Sequence, residues 1–309
     1  MPPPGHIPVL AAEIVAHLAP VAGEVYLDCT AGLGGHAALI APAVGETGTI
    51  ALCDLDASNL GQAEGRLRRL PTPPRVIAMR GNFAEAPGWM ARQGLRADMV
   101  LADLGFASTQ VDDPTRGLSF SRPGPLDMRL DPSGALTAAQ FVAAASEHDL
   151  ARVIDEFGEE RHARLVARRI VEARKVGPIT TTDQLAGIIR AAVGPRGSGG
   201  IDPATRTFQA LRIAVNDELG NLHALMAAIR RGAKPMSTQA WLKPGARIAI
   251  ISFHSLEDRP VKQAFAELVE SGAAEHVVRK PVTASDDELR QNPRSRSAKL
   301  RVIRIVSPP

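Results

Sequence analysis

Membrane-length apolar runs, cysteine and aromatic residues are all scarce in this chain, and each shortage excludes something. No apolar stretch in the 309 residues approaches the roughly 18 that a membrane-spanning helix needs. The opening run Met1-Pro2-Pro3-Pro4-Gly5 has neither a basic segment nor an apolar one, so no signal peptide is expected. Only two cysteines occur, Cys29 and Cys53. Both fall at the ends of predicted strands and read as reduced packing residues of a cytoplasmic protein. Aromatic residues are 4% of the chain, so any nucleic-acid binding leans on phosphate contacts and shape more than on stacking. Excess charge is small: 36 Lys and Arg face 33 Asp and Glu, a formal +3. The pI near 9.1 and the uneven placement of arginine nevertheless keep nucleic acid open as a partner. No internal repeat is visible, and no spacing of His, Cys and acidic residues favours a metal.

What is present is the composition of an ordinary soluble protein, 45% hydrophobic and 22% charged. Its length suits one large domain or two smaller ones. Helical spacing covers Val9 to Leu18, and strand-like runs follow at 25–28, 49–53, 75–79 and 99–102, with helices between them. That alternation predicts βαβ units, a parallel sheet and helices on both faces. From about residue 110 the strands stop. A Pro/Gly-rich stretch (112–134) leads into helical patterns at 137–145, 147–157, 159–175, 182–193 and 204–230, with a loop at 194–200. Strands resume at 247–251 and 300–305. The pattern is an α/β domain, residues 1–109 and 216–309, interrupted by a helical insertion at 110–215 that shapes a substrate cleft.

The most informative run is Tyr26-Leu27-Asp28-Cys29-Thr30-Ala31-Gly32-Leu33-Gly34-Gly35-His36. It reads as a buried strand ending in a carboxylate, followed by a glycine turn into a helix. The next strand ends in Asp54, about 20 residues beyond the turn, the spacing of a carboxylate that binds ribose hydroxyls. A nucleoside cofactor is therefore expected. Gly32-x-Gly34-x-x-Ala37 also fits the looser dinucleotide fingerprint, which leaves an NAD(P)-dependent oxidoreductase open. A carboxylate at Asp28 suits the ammonium and sulfonium of S-adenosylmethionine better than an anionic pyrophosphate. Asp28, Asp54 and Asp103 all fall at strand ends, where ligands of such sheets bind. A non-catalytic RNA-binding protein would account for the basic segments but not for these three carboxylates.

Eight ordered blocks then carry a resemblance: His6-x-Pro8-Val9-Leu10, DCTAGLGGH (28–36), DLGFASTQVDD (103–113), RGLSFSRPGPLDMR (116–129), FGEER (157–161), PATRTFQALRIAVNDEL (203–219), SFHSLEDR (252–259) and NPRSRSAKLR (292–301). Together they resemble the bacterial small-subunit rRNA (cytosine-N4)-methyltransferase family, RsmH or MraW, over nearly the whole chain. The resemblance implies a class I, Rossmann-like S-adenosylmethionine-dependent methyltransferase sheet with an all-helical insertion domain. It implies S-adenosyl-L-methionine as cofactor and the exocyclic N4 amine of a cytidine in 16S rRNA, near the decoding centre of the small ribosomal subunit, as acceptor. Family cofactor positions carry over to Gly34, Gly35, His36, Asp54, Phe83, Asp103 and Gln110. DLGFAST stands where the family usually reads DLGVSSP, with Ala107 and Thr109 in place of Ser and Pro, which bears on the shape of that loop.

Asp103 is the candidate catalytic group, because an acceptor aimed at an N4–H takes up charge developing on a poorly nucleophilic amine. Phe106 is a lesser candidate for stacking on the base. SFHSLEDR contains the letters of a hydrolase triad and of a metal site, but neither spacing is met, and a substrate-side or loop-ordering role is expected. Arg161, Arg164, Arg168 and Lys175 form one basic stripe, and Arg290, Arg294, Arg296, Lys299 and Arg301 a second. No membrane association is expected, and a homodimer is left open.

Overall fold

A computed structural model describes residues 7–106, 108–194, 202–234 and 240–306. His6, Ala107, the side chain of Thr109 and residues 195–201 lie outside the described residues. The chain opens with α1 (Ala11–Leu18), β1 (Val25–Asp28), α2 (Gly35–Val44), β2 (Thr49–Asp54), α3 (Ala57–Arg68), β3 (Arg75–Arg80), α4 (Ala86–Arg92) and β4 (Ala97–Asp103). Six helices follow: α5 (Ser108–Asp112), α6 (Ala138–Ala144), α7 (Glu147–Gly158), α8 (Ala163–Val176), α9 (Thr182–Val193) and α10 (Ala204–Asn216). The remainder is α11 (Glu218–Gly232), β5 (Leu242–Ser252), α12 (Ser255–Glu270), β6 (Ala274–His276), α13 (Asp286–Gln291) and β7 (Lys299–Ile305).

The chain divides into two compact units, Met1–Gly105 with Leu219–Pro309, and Phe106–Glu218. The divisions fall at 105/106 and 218/219, against 109/110 and 215/216 from the sequence pattern. The first unit is a seven-stranded sheet in the order β3-β2-β1-β4-β5-β7-β6. The strands β3 to β5 are parallel, as the βαβ pattern predicts, whereas β7 runs antiparallel to both β5 and β6. An all-parallel expectation fails there because the chain turns back through α13 rather than crossing over a further helix. The chain moves outward from β1 through β2 to β3, then returns to β4 on the other side of β1. The carboxyl ends of β1 and β4 therefore flank the reversal point, where α/β sheets open a ligand crevice. Apolar clusters cover both faces of the sheet, one holding Leu27, Val100 and Phe265, the other Tyr26, Ile50 and Leu300. Such two-sided burial explains why these strands read as continuous apolar runs.

The second unit is helical, and among its described residues no strand occurs; the single ladder-like contact is Pro125 with Thr181. Two sequence expectations need correction in it. The pattern over 159–175 begins a helix only at Ala163. Glu159 closes α7 in the left-handed conformation (φ 50), and the Glu160 carboxylate accepts from the His162 N–H at 2.9 Å. The pattern over 204–230 is two helices, not one. Asp217 is left-handed (φ 47), and the Asn216 amide is drawn away to the Met128 carbonyl (2.8 Å) and the Leu130 N–H (2.7 Å). Asn and Asp tolerate this conformation, so a continuous helical pattern can break there without glycine or proline.

Candidate active site

Three parallel strands deliver carboxylates to one end of the sheet. Asp28 ends β1, Asp54 ends β2 and Asp103 ends β4. Asp28 is buried. One of its oxygens accepts from the Tyr26 hydroxyl at 3.1 Å and the other from the Thr30 N–H at 3.2 Å. Burial pushes its carboxyl up to about 7, against those two donors and with a further upward push from the Asp54 charge. Asp103 is raised well above the usual carboxylate range by burial, then by Asp28 and Glu257. Its backbone N–H donates to the Thr30 hydroxyl at 2.7 Å, but its buried Oδ1 has no hydrogen-bond partner. A buried acceptor without a partner is costly, and such atoms are where ligand donors arrive.

The glycine turn is built differently from what its sequence suggests. Asp54 reaches back and accepts from the Gly32 N–H at 2.7 Å, and its other oxygen accepts from the Asp56 N–H at 2.8 Å. Asp54 therefore fixes the turn. At Gly34 (φ +74) an added Cβ would lie 3.0 Å from the Ala63 Cβ on α3. At Gly35 it would lie 2.7 Å from Pro8 Cγ. Those glycines let α3 and the N-terminal segment close on the turn. Gly32 (φ +49) differs: the nearest atom to an added Cβ is the Thr30 carbonyl at 4.0 Å, so open space adjoins it. His36 is buried on α2 with Nε2 3.0 Å from the Val9 carbonyl, which ties that side chain to the N-terminal segment. Phe83, half-buried in the turn after β3, packs against the core. Gln110 is buried on α5 in the second unit.

Cys29 and Cys53 are buried free thiols in one cluster, as the sequence suggested, and burial pushes both upward. Phe106 belongs to the second unit. There the Arg212 guanidinium lies 4.5 Å from its ring centre, and Glu218 holds that guanidinium through two 2.7 Å hydrogen bonds.

SFHSLEDR supplies residues whose positions sequence reasoning left undefined. Glu257, buried in the first turn of α12, accepts from the Phe253 N–H at 2.8 Å. Burial would raise Asp258, but Arg301, with Lys299 and Lys262, holds it below the usual range. Arg301 meets both Asp258 oxygens at 2.7 and 3.0 Å, which pins α12 to β7. Two of the proposed basic groups are thereby spoken for: Arg301 is an internal strut, and Arg290 pairs with Asp287. Arg161 lies ahead of α8, and Arg161, Arg164, Arg168 and Arg169 are all exposed, but Arg168 and Arg169 share Glu172.

The chain matches the MraW methylase family over residues 4–306. A relative from Sorangium cellulosum, named "Ribosomal RNA small subunit methyltransferase H", is 46% identical over 302 residues, 97% of this chain and 91% of that protein. Its namesake from Koribacter versatilis is 45% identical over 303 residues, covering 96% and 92%. That from Symbiobacterium thermophilum is 46% identical over 316 residues, 96% of each. No helix among the described residues is long and apolar enough to cross a membrane.

Proposed function

The chain belongs to the MraW methylase family of ribosomal RNA small-subunit methyltransferases, and we propose that it methylates the N4 amine of one cytidine in 16S rRNA near the decoding centre. S-adenosylmethionine, when bound, supplies a methyl group already activated as a sulfonium. The observation that carries the cofactor assignment is electrostatic: at the crevice of the sheet burial and the Asp54 charge raise Asp28, and burial with the Asp28 charge raises Asp103. Such a site favours a cationic nucleoside and disfavours the pyrophosphate of NAD(P). The residues fit that cofactor. Asp54 ends β2 against the glycine turn, beside open space at Gly32, where ribose hydroxyls would approach it. Asp103 offers a buried, unpartnered oxygen at the next strand end but one. In this reading Gly34, Gly35, His36 and Phe83 complete the cofactor contacts of the first unit, the glycines and His36 through their backbone. The helical unit recognises the RNA. Aligning the amine with the methyl group supplies much of the rate, since the donor needs no further activation.

The direct test is incubation with small ribosomal subunits that lack the methyl group, followed by mass-spectrometric mapping of the product. A new methyl on a cytidine N4 supports the assignment, and transfer to any other atom overturns it.

Asp54→Ala is expected to weaken S-adenosylmethionine binding by about 2 kcal/mol, the scale of a lost charge-assisted hydrogen bond. Asp54→Asn, which keeps an acceptor for the Gly32 N–H, separates turn loosening from loss of ribose contact. Calorimetry with unchanged affinity in both folded variants removes Asp54 from the cofactor site.

The RNA-binding stripe is best tested at Arg161 and Arg164, because Arg168 is partly neutralised by Glu172. Arg161→Glu with Arg164→Glu is expected to raise KM for the particle and flatten the salt dependence of binding by about 1 to 2 in log–log slope. Affinity for S-adenosylmethionine stays at the wild-type value. An unchanged salt slope makes the stripe a solvated helix face.

A further inference from the structure

Where β4 ends and α12 begins, Asp103 Oδ1 and both ring nitrogens of His254 are buried without hydrogen-bond partners. His254 is the N-cap residue of α12 in an extended conformation, yet its side chain makes no capping hydrogen bond. Caps normally use their side chain on the first turn of the helix, so this ring is left for other work. Glu257 Oε1 lies 3.2 Å from His254 Nε2, close enough to pair but out of line for a hydrogen bond. Catalytic hydrogen bonds in ligand-free proteins are often loose in this way and tighten when substrate arrives. Glu257 is itself held by the Phe253 N–H. Asp103 pairs with Ile251 across the β4–β5 ladder, and its carboxyl feels the Glu257 charge. The dyad therefore stands at the same strand ends as Asp103.

We propose that His254, oriented by Glu257 through Nε2–H, accepts through Nδ1 the proton that the acceptor amine sheds during methyl transfer. This rests on the methyl-transfer reading above. The N4 lone pair forms the new carbon–nitrogen bond as the sulfur–methyl bond breaks, and sulfur keeps the electron pair of that bond. One N4 proton passes to His254 Nδ1 and then to water. The buried Glu257 carboxylate stabilises the imidazolium that forms in between. A histidine beside a carboxylate on one nitrogen and without a partner on the other is the usual arrangement of a general base. It gives the SFHSLEDR segment a role that neither a hydrolase triad nor loop ordering alone supplies.

The test uses the full chain with S-adenosylmethionine and small ribosomal subunits lacking the methyl group. His254→Gln and His254→Ala are both expected to lower the single-turnover rate at saturation about a hundredfold. S-adenosylmethionine affinity by calorimetry should stay within about twofold of wild type. Added imidazole should restore part of the rate to the Ala variant and none to the Gln variant. In the free protein, nitrogen NMR of His254 should show the Nε2–H tautomer. Rates near wild type in either folded variant, an Nδ1–H tautomer, or a lost rate that imidazole leaves unmoved would each overturn the proposal. If the Ala variant does not fold, the Gln variant decides through its rate and affinity. A wild-type protein that methylates another atom sinks the functional reading instead. Wild-type N4 methylation with active His254 variants sinks only this inference.

Discussion

Asp103→Asn is expected to weaken S-adenosylmethionine binding about a hundredfold while the single-turnover rate at saturating cofactor falls less than tenfold. The substitution keeps the shape of the side chain and removes its charge. Wild-type Asp103 has a buried oxygen with no partner and a carboxyl raised by burial, Asp28 and Glu257. A group held in that state gains most from a cation, because a positive charge offsets the burial and the like-charge repulsion together. A hundredfold loss corresponds to about 2.7 kcal/mol, within the range of one hydrogen bond to a charged group. Calorimetry and single-turnover kinetics on this one variant separate two roles. Intact affinity with a hundredfold slower rate would move Asp103 to the acceptor amine, where it would stabilise charge developing on N4. Normal values for both quantities would take it out of the site.

Most of the sheet was legible in the sequence because strands buried on both faces write themselves as apolar runs, and their ends carry the three aspartates. The side chains of the second unit were less legible. Gly158 marks why: an added Cβ there would meet the Arg206 carbonyl at 2.7 Å, a contact between α7 and α10 that no local pattern announces. FGEER is in this sense a packing motif, since Arg206 also donates to the Glu159 carbonyl. The glycine turn carries packing constraints of the same kind, with Gly34 and Gly35 approached by Ala63 and Pro8 of the protein itself. Arg301 looks like a surface charge in the sequence because its ion-pair partner, Asp258, is 43 residues away. His254 and Glu257, by contrast, could have been found. Their i, i+3 spacing at a helix start brings the two side chains to one face.

Asp28→Asn is expected to stabilise the protein at pH 8 and to leave its stability unchanged at pH 4. The Asp28 carboxyl lies at about 7 in the fold, against 3.8 for an ordinary aspartate. The native state thus holds its proton more tightly than the unfolded chain does. Below pH 4 both states are protonated and no penalty exists. Between about 4 and 7 the unfolded chain has released the proton and the native state has not, so stability falls as pH rises. Above 7 both are ionised and the full penalty stays, roughly 4 kcal/mol as an upper figure at 1.36 kcal/mol per pH unit. Asparagine never ionises, and its amide can still face the Tyr26 hydroxyl while its oxygen accepts from Thr30. Urea midpoints of both proteins at pH 4 and pH 8 check this, and an equal difference at both values would refute the linkage. The same substitution should cost affinity. A cationic cofactor binds the ionised form, so wild-type affinity for S-adenosylmethionine should rise through pH 7, and the Asn variant should lose that slope along with part of its binding. A buried carboxylate that weakens the empty protein and strengthens the loaded one is placed for the ligand rather than for the fold.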